Sequence, residues 1–150
     1  MNSKSSMLSI GIIIGNRDFF PDSLVEKARV EIIEVFSKLN LKPILLDSTD
    51  TKLGGVETFK QAQKCTELFK KHANEIVGVL VLLPIFTDEK GVADTLKLSN
   101  LNVPVLIQAY PDELTKMNVV NTKRTSGRWR YYGQWFFNAI FGKCTAKTGY

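Results

Sequence analysis

The chain has 150 residues, enough for one domain with a sizeable buried core, and no run of about 18 apolar residues, which excludes a transmembrane helix. Its 44% hydrophobic content and mean hydropathy of -0.05 are those of a globular protein. Two cysteines, Cys65 and Cys144, supply no disulfide framework. The formal charge of +5 is unevenly placed: residues 1–121 hold 14 basic and all 15 acidic side chains, a net of −1, and the other six bases follow without an acid.

Residues 8–15 form a β-branched run closed by glycine, too short for a helix, and are predicted as a buried strand. The apolar run has no small-residue cleavage site after it, so no secretory leader is read and a cytoplasmic setting is expected. Residues 16–20 are a loop, and Pro21 stands where the first turn of a helix tolerates proline. In that helix Leu24, Ala28, Ile32, Val35 and Leu39 recur every three or four residues and make one apolar stripe. A second strand follows at 43–46, then a polar loop at 47–55.

The second helix is predicted over 56–73, with Phe59, Ala62, Cys65 and Phe69 on one face, Glu57 at its start and Lys70, Lys71 and His72 at its end. A continuous apolar strand, 76–83, is expected to be covered on both faces. Thr87 or Asp88 caps a third helix that runs to Leu98, and residues 103–108 are the fourth strand. Four strands alternating with three helices predict an α/β fold, a doubly wound four-stranded parallel sheet of order 2-1-3-4 with helices on both faces. Ligands of such sheets bind outside the carboxyl ends of the strands, which directs attention to loops 16–20, 47–55, 84–89 and 109–115.

Gly11-x-x-x-Gly15 has the wrong spacing for a dinucleotide fingerprint. The first loop lacks the Gly, Ser and Thr pattern that cradles phosphate, which argues against flavin mononucleotide. A phosphoacceptor domain would need an Asp where the third strand ends in Leu83-Pro84. Arg17 can donate bidentate hydrogen bonds to a hydroxylated or carboxylated ligand, or simply pair with Asp18 or Asp22. Asp88-Glu89 reads as an acid–base or metal pair, or more plainly as a helix cap and dipole partner. His72, the one histidine, belongs to a helix end, and Cys65 to the core; about two helical turns between them rule out a Cys–His pair.

Residues 122–150 differ in kind from the rest. They hold Trp129, Tyr131, Tyr132, Trp135, Phe136, Phe137, Phe141 and Tyr150, eight of the fifteen aromatic residues. Nucleic-acid binding through bases interleaved with aromatics, an interfacial helix around 129–141, an oligomer contact, and a segment foreign to the domain are the readings. Nucleic-acid binding ranks low among them.

Four strings carry a family resemblance: Gly15-Asn-Arg-Asp-Phe-Phe-Pro-Asp22, Asp50-Thr-Lys-Leu-Gly-Gly-Val-Glu-Thr58, Ala62-Gln-Lys-Cys-Thr-Glu-Leu-Phe69 and Asn102-Val-Pro-Val-Leu-Ile-Gln-Ala-Tyr-Pro-Asp112. Together they resemble the N-terminal domain of L-fucose/L-arabinose isomerase-like proteins over residues 8–121. The resemblance implies a flavodoxin-like domain at 1–121, followed by an atypical tail at 122–150. It implies a cytoplasmic homo-oligomer, or a contact with other isomerase subunits, in which the domain lends sugar contacts to an aldose–ketose isomerase. The manganese expected in full-length relatives sits in later domains, so no metal ligand and no catalytic residue is assigned here. The candidate substrate-binding residues are Asn16, Arg17, Phe86, Asp88 and Gln108. Ile85 and Thr87 stand where the family usually has Asn and Gly. After Asn121 the resemblance stops, which suggests a truncated or frameshifted relative. One histidine and no acid–histidine cluster leave the chain alone without isomerase turnover. A non-catalytic binding or assembly module, with no membrane partner, is the alternative.

Overall fold

The computed structural model describes residues 7–17, 20–85 and 87–110. In chain order the elements are β1 (Ser9–Gly15), α1 (Asp22–Lys38), β2 (Lys42–Ile44), a 3-10 turn (Lys52–Gly54), β3 (Gly55–Val56), α2 (Phe59–Lys71), β4 (Ile76–Leu83), α3 (Glu89–Ser99) and β5 (Val105–Ala109). The strands are all parallel in the order β2-β1-β4-β5, which matches the expected order of the four longer strands. The short β3 is an addition. It pairs Gly55 and Val56 with Ile14 and Gly15, beyond the point where β2 leaves the same edge of β1.

The period of two along β1 decides which layer each isoleucine serves. Ile13 joins Val79, Val81 and Leu83 of β4 against Ala62, Cys65 and Phe69 of α2 and Val92 of α3. Ile12 and Ile14 join Leu80 and Leu82 against Val25, Ile32 and Phe36 of α1. The sheet therefore has α2 and α3 on one face and α1 on the other. In β4 the pairing slips beside Val77, so that Ser9 faces Ile76 but Ile10 faces Gly78, and Val77 is left exposed.

Two expectations about helix faces are corrected. The buried stripe of α1 is Val25, Ala28, Ile32 and Phe36, whereas Leu24, Val35 and Leu39 are 43%, 44% and 61% exposed. Both series have helical spacing, and the larger Phe36 fills the space over the sheet that Val35 would leave open. In α2, Ala62, Cys65 and Phe69 are buried as expected, but Phe59 is exposed and its ring takes the Lys90 ammonium at 5.5 Å. Helix α2 also starts later than expected, because Val56 is a buried strand residue. Cys65 is the core residue the periodicity indicated, and burial pushes its thiol up to about 12, which keeps it protonated and unreactive.

At the amino edge of the sheet, Glu75 gathers three partners. It accepts from Lys42 Nζ at 2.7 Å and Ser9 Oγ at 3.2 Å, and it pairs with His72 Nδ1 at the end of α2. The Lys42 ammonium, then His72, hold its carboxyl down at about 2, against the opposing effect of desolvation. A depressed carboxyl stabilises the fold above its unfolded value of 4.5, and the contribution is lost as pH falls toward about 2. We therefore expect Glu75→Gln to lower Tm at pH 7 and to flatten the Tm-versus-pH curve in that acid window. An unchanged acid limb in scanning calorimetry would show that the cluster contributes nothing.

Candidate functional site

All strands are parallel, so their carboxyl ends share one edge, and the chain is most tightly tied where β1 reaches it. Asn16, immediately after β1, is only 2% exposed. Its N–H donates to the Val56 carbonyl at 3.1 Å. Its own carbonyl accepts from Thr87 Oγ1 at 3.1 Å and from the Asp88 N–H at 3.3 Å. One residue thus joins the end of β1, the end of β3 and the start of α3. Gly15 makes the approach possible: a Cβ there would lie 2.3 Å from Thr87 Oγ1 and 2.6 Å from Thr87 Cβ.

The backbone of Asn16 is satisfied, but its side chain is not. Oδ1 is buried and has no hydrogen-bond partner. A buried acceptor left unmet costs about 1–3 kcal/mol, so this atom favours any hydroxyl or amide donor that reaches it. Arg17 follows, half-buried, and its carbonyl accepts from the Phe20 N–H at 3.0 Å. Asp22, one of the acids offered as its partner, forms an ion pair with Lys52 at 3.0 Å.

Loop 47–54 forms the next part of this edge and is held from several sides. Asp47 accepts from the Thr49 N–H at 3.0 Å and the Thr49 hydroxyl at 2.9 Å, which holds its carboxyl below the usual carboxylate range. Arg29 reaches from α1 to donate to the Leu46 carbonyl at 2.8 Å, and Lys64 reaches from α2 to the Asp50 carbonyl at 2.5 Å. Thr51 Oγ1 donates to the Gly55 carbonyl at 2.7 Å, at the start of β3.

Thr58 and Gln61 start α2 with a reciprocal pair of caps. The Thr58 hydroxyl accepts from the Gln61 N–H at 3.3 Å, and Gln61 Oε1 accepts from the N–H groups of Glu57 at 2.8 Å and Thr58 at 3.0 Å. Glu57, expected in the first turn, precedes the cap instead. Thr58→Ala is expected to cost about 1 kcal/mol in urea denaturation, the usual worth of such a cap. No measurable change would mean that β3 alone holds this junction.

The sequence-derived site residues fall into separate groups. Asn16, Arg17 and Asp88 lie together at the β1 end. Asp88 has the plainer of its two roles, because its Oδ1 caps α3 by accepting from Lys90 N at 3.0 Å and Gly91 N at 3.2 Å. Gln108 is exposed on β5, in register with Leu82, and β4 stands between it and β1, a displacement of about 10 Å at ordinary strand spacing. Phe86 lies outside the described residues. Thr87, read as a helix cap and as standing where the family usually has Gly, donates to the Asn16 carbonyl while fully buried. Nothing in its local sequence announces this, since it depends on a contact 71 residues away.

No group of three or more His, Cys, Asp and Glu that could hold a metal occurs among the described residues. His72 is committed to Glu75 at the opposite edge. The described residues do not fit a manganese ion. Among the described residues, no helix is long and apolar enough to cross a membrane.

Comparison with known proteins identifies the domain. The family model for the N-terminal domain of fucose/sulfoquinovose isomerase matches residues 11–126, which includes β1 from Gly11 onward and every later element through β5. No curated protein and no solved structure matches the chain. By a match that spans most of its length, the chain belongs to the fucose/sulfoquinovose isomerase N-terminal domain family.

Proposed function

We propose that this cytoplasmic domain lends sugar and subunit contacts to an aldose–ketose isomerase site whose proton-transfer and metal-binding groups lie outside the described residues. Asn16 carries this reading. Its Oδ1 is a buried acceptor without a partner among the described residues, on a residue whose N–H and carbonyl are held at the strand carboxyl ends by Val56, Asp88 and the Thr87 hydroxyl. An acceptor held at the end of β1, with Arg17 next in the chain, suits a polyol, which offers hydroxyl protons to the first and hydroxyl oxygens to the second. Moving a proton between adjacent carbons needs a base or a metal held across both. The Asn16 group provides position for the sugar and no base for that transfer.

Calorimetric titration of the full chain with L-fucose, L-arabinose and sulfoquinovose tests the reading. Saturable binding of one of these, lost in Asn16→Ala and weakened in Arg17→Ala, is the expected result. With manganese added, the chain alone is expected to show no turnover. Binding that is absent, or equal in wild type and both variants, overturns the sugar-contact role. Metal-dependent isomerisation by the chain alone overturns the shared-site role.

A further inference from the structure

The string 50–58 holds two adjacent glycines, which offer a ligand no side chain. Gly54 and the residue before it, Leu53, both lie in the left-handed region, at φ 69° and 59°. A leucine rarely takes that conformation, because its Cβ crowds the following carbonyl oxygen. Such a turn lasts only where its surroundings hold it. Within the turn, the Gly54 N–H donates to the Thr51 carbonyl at 3.0 Å, and the Leu53 side chain packs on the α1-side core. The rest of the hold comes from α1.

Arg29 lies on α1 beside the buried Ala28 and is itself half-buried. Its Nη1 donates to the Leu46 carbonyl at 2.8 Å, where the chain leaves β2. A Cβ at Gly54 would lie 2.3 Å from that same Nη1 and 2.6 Å from the Leu46 carbonyl oxygen. The guanidinium, the Leu46 carbonyl and the Gly54 backbone therefore meet at one point, and the two ends of loop 47–54 close around Arg29. Two turns earlier on the same helix, Asp22 pairs with Lys52 at 3.0 Å. Helix α1 thus grips the turn twice, and Arg29 makes the more buried of the two contacts.

The turn delivers Gly55 and Val56 to β1, where they pair with Ile14 and Gly15. The Val56 carbonyl then receives the Asn16 N–H at 3.1 Å. A Cβ at Gly55 would lie 3.0 Å from Asn16 Cβ, so the asparagine side chain rests against a position kept bare. The two glycines have separate reasons: Gly54 admits Arg29 and a left-handed turn, and Gly55 admits Asn16. From α3, Thr87 and Asp88 hold only the Asn16 carbonyl. Its N–H depends on β3, and β3 depends on the turn that Arg29 closes.

We infer that Arg29 is a positioning residue for the sugar contact: it holds the Leu53–Gly54 turn, and through β3 it sets where Asn16 stands. The inference rests on the reading of Asn16 as a sugar contact.

Arg29→Met keeps the apolar stem of the side chain and removes the donor, whereas Arg29→Lys keeps a charge and a donor. Hydrogen exchange followed by NMR in the full chain reads the Asn16 amide against Val81, which is paired on both sides in the middle of β4. In Arg29→Met the Asn16 amide is expected to exchange about tenfold faster relative to Val81, the worth of one hydrogen bond from a charged group. Titration with L-fucose, L-arabinose and sulfoquinovose should show the affinity for the sugar that binds falling by a similar factor. Arg29→Lys is expected to restore most of both. Arg29→Gln, shorter and uncharged, is the second variant and must show the same selective change if circular dichroism finds Arg29→Met unfolded. No acceleration at Asn16, or equal acceleration at Asn16 and Val81, overturns the inference. Sugar binding lost in Asn16→Ala but unchanged in Arg29→Met overturns it alone and leaves the sugar-contact reading standing. Absence of binding by the wild-type chain overturns that reading, and the positioning role falls with it.

Discussion

Phe69→Ala is expected to destabilise the domain by about 3–5 kcal/mol, the range for removing a fully buried phenylalanine. Phe69 has no exposed surface and is the largest of the fully buried side chains. Its ring bridges α2 to the middle of β1 through an unusually close fit. A Cβ at Gly11 would lie 2.9 Å from Phe69 Cζ, so the strand backbone itself is the floor of the ring's pocket. Backbone cannot rotate into the space the ring leaves, so the cavity stays largely open and the cost falls at the upper end. For a chain of this size, each kcal/mol shifts Tm by roughly 2–4 °C, which predicts a fall of about 10 °C or more. Gly11 and Phe69 should also be coupled. Gly11→Ala alone pushes on the ring, whereas in the Phe69→Leu background the added methyl meets free space and should be better tolerated. Urea denaturation of the four proteins checks both statements; additive changes would mean the two residues do not share a pocket.

Gly15→Ala is expected to have the second largest effect, and to act on the candidate site more than on the core. Its methyl would meet both Oγ1 and Cβ of Thr87, a β-branched side chain with one strongly restricted torsion and no exposed surface to swing into. Overpacking of this kind costs about 1–3 kcal/mol. Relief requires Thr87 to move away from the Asn16 carbonyl, which breaks one of the bonds that fix Asn16. The Asp88 N–H bond to the same carbonyl, already 3.3 Å long, should loosen with it. The measurable outcomes are lower stability in urea and faster hydrogen exchange at the Asn16 and Asp88 amides than at β4 amides. Gly15→Ala combined with Thr87→Gly removes the obstructing atoms and should recover part of the stability. If exchange accelerates uniformly, Gly15 supports the sheet in general and not the Asn16 junction.

The carboxyl edge illustrates what can be read from local pattern and what cannot. The four long strands and three helices were legible because each has its own period or composition: β-branched runs in β1 and β4, apolar spacing of three and four in the helices. The order of those strands follows the doubly wound pattern, and right-handed crossovers put helices on both faces. The capping box at Thr58 was equally legible, since Thr-x-x-Gln before a helix is its signature, yet the helix was started at Val56 instead. That error came from β3, two residues long and too short to carry any period. It exists only because β1 extends past the end of β2 and leaves Ile14 and Gly15 with an unpaired edge.

Helix faces were read less well, for a different reason. Periodicity establishes that α1 has an apolar stripe, but Leu24, Val25, Val35 and Phe36 give two stripes rotated by one residue. Which one meets the sheet depends on the volume between α1 and β4, a property of neither segment alone. Asn16 and Arg17 were found through family-like strings, and their neighbours in space were not. The contacts of Asn16 with Val56 and Thr87 join residues 40 and 71 positions apart.

By itself the sequence determined the α/β class, the order of the long strands, the buried Cys65, the break in composition after residue 121 and the family. Each of these depends on residue type, local spacing or strings shared with relatives. Only the tertiary structure decided that Asp88 is a helix cap, that Thr87 holds Asn16, that Oδ1 of Asn16 is buried without a partner, and that Leu106 of β5 is exposed. Those four depend on burial and on hydrogen-bond partners brought together by folding, and a linear order of residues does not contain either until the chain has closed on itself.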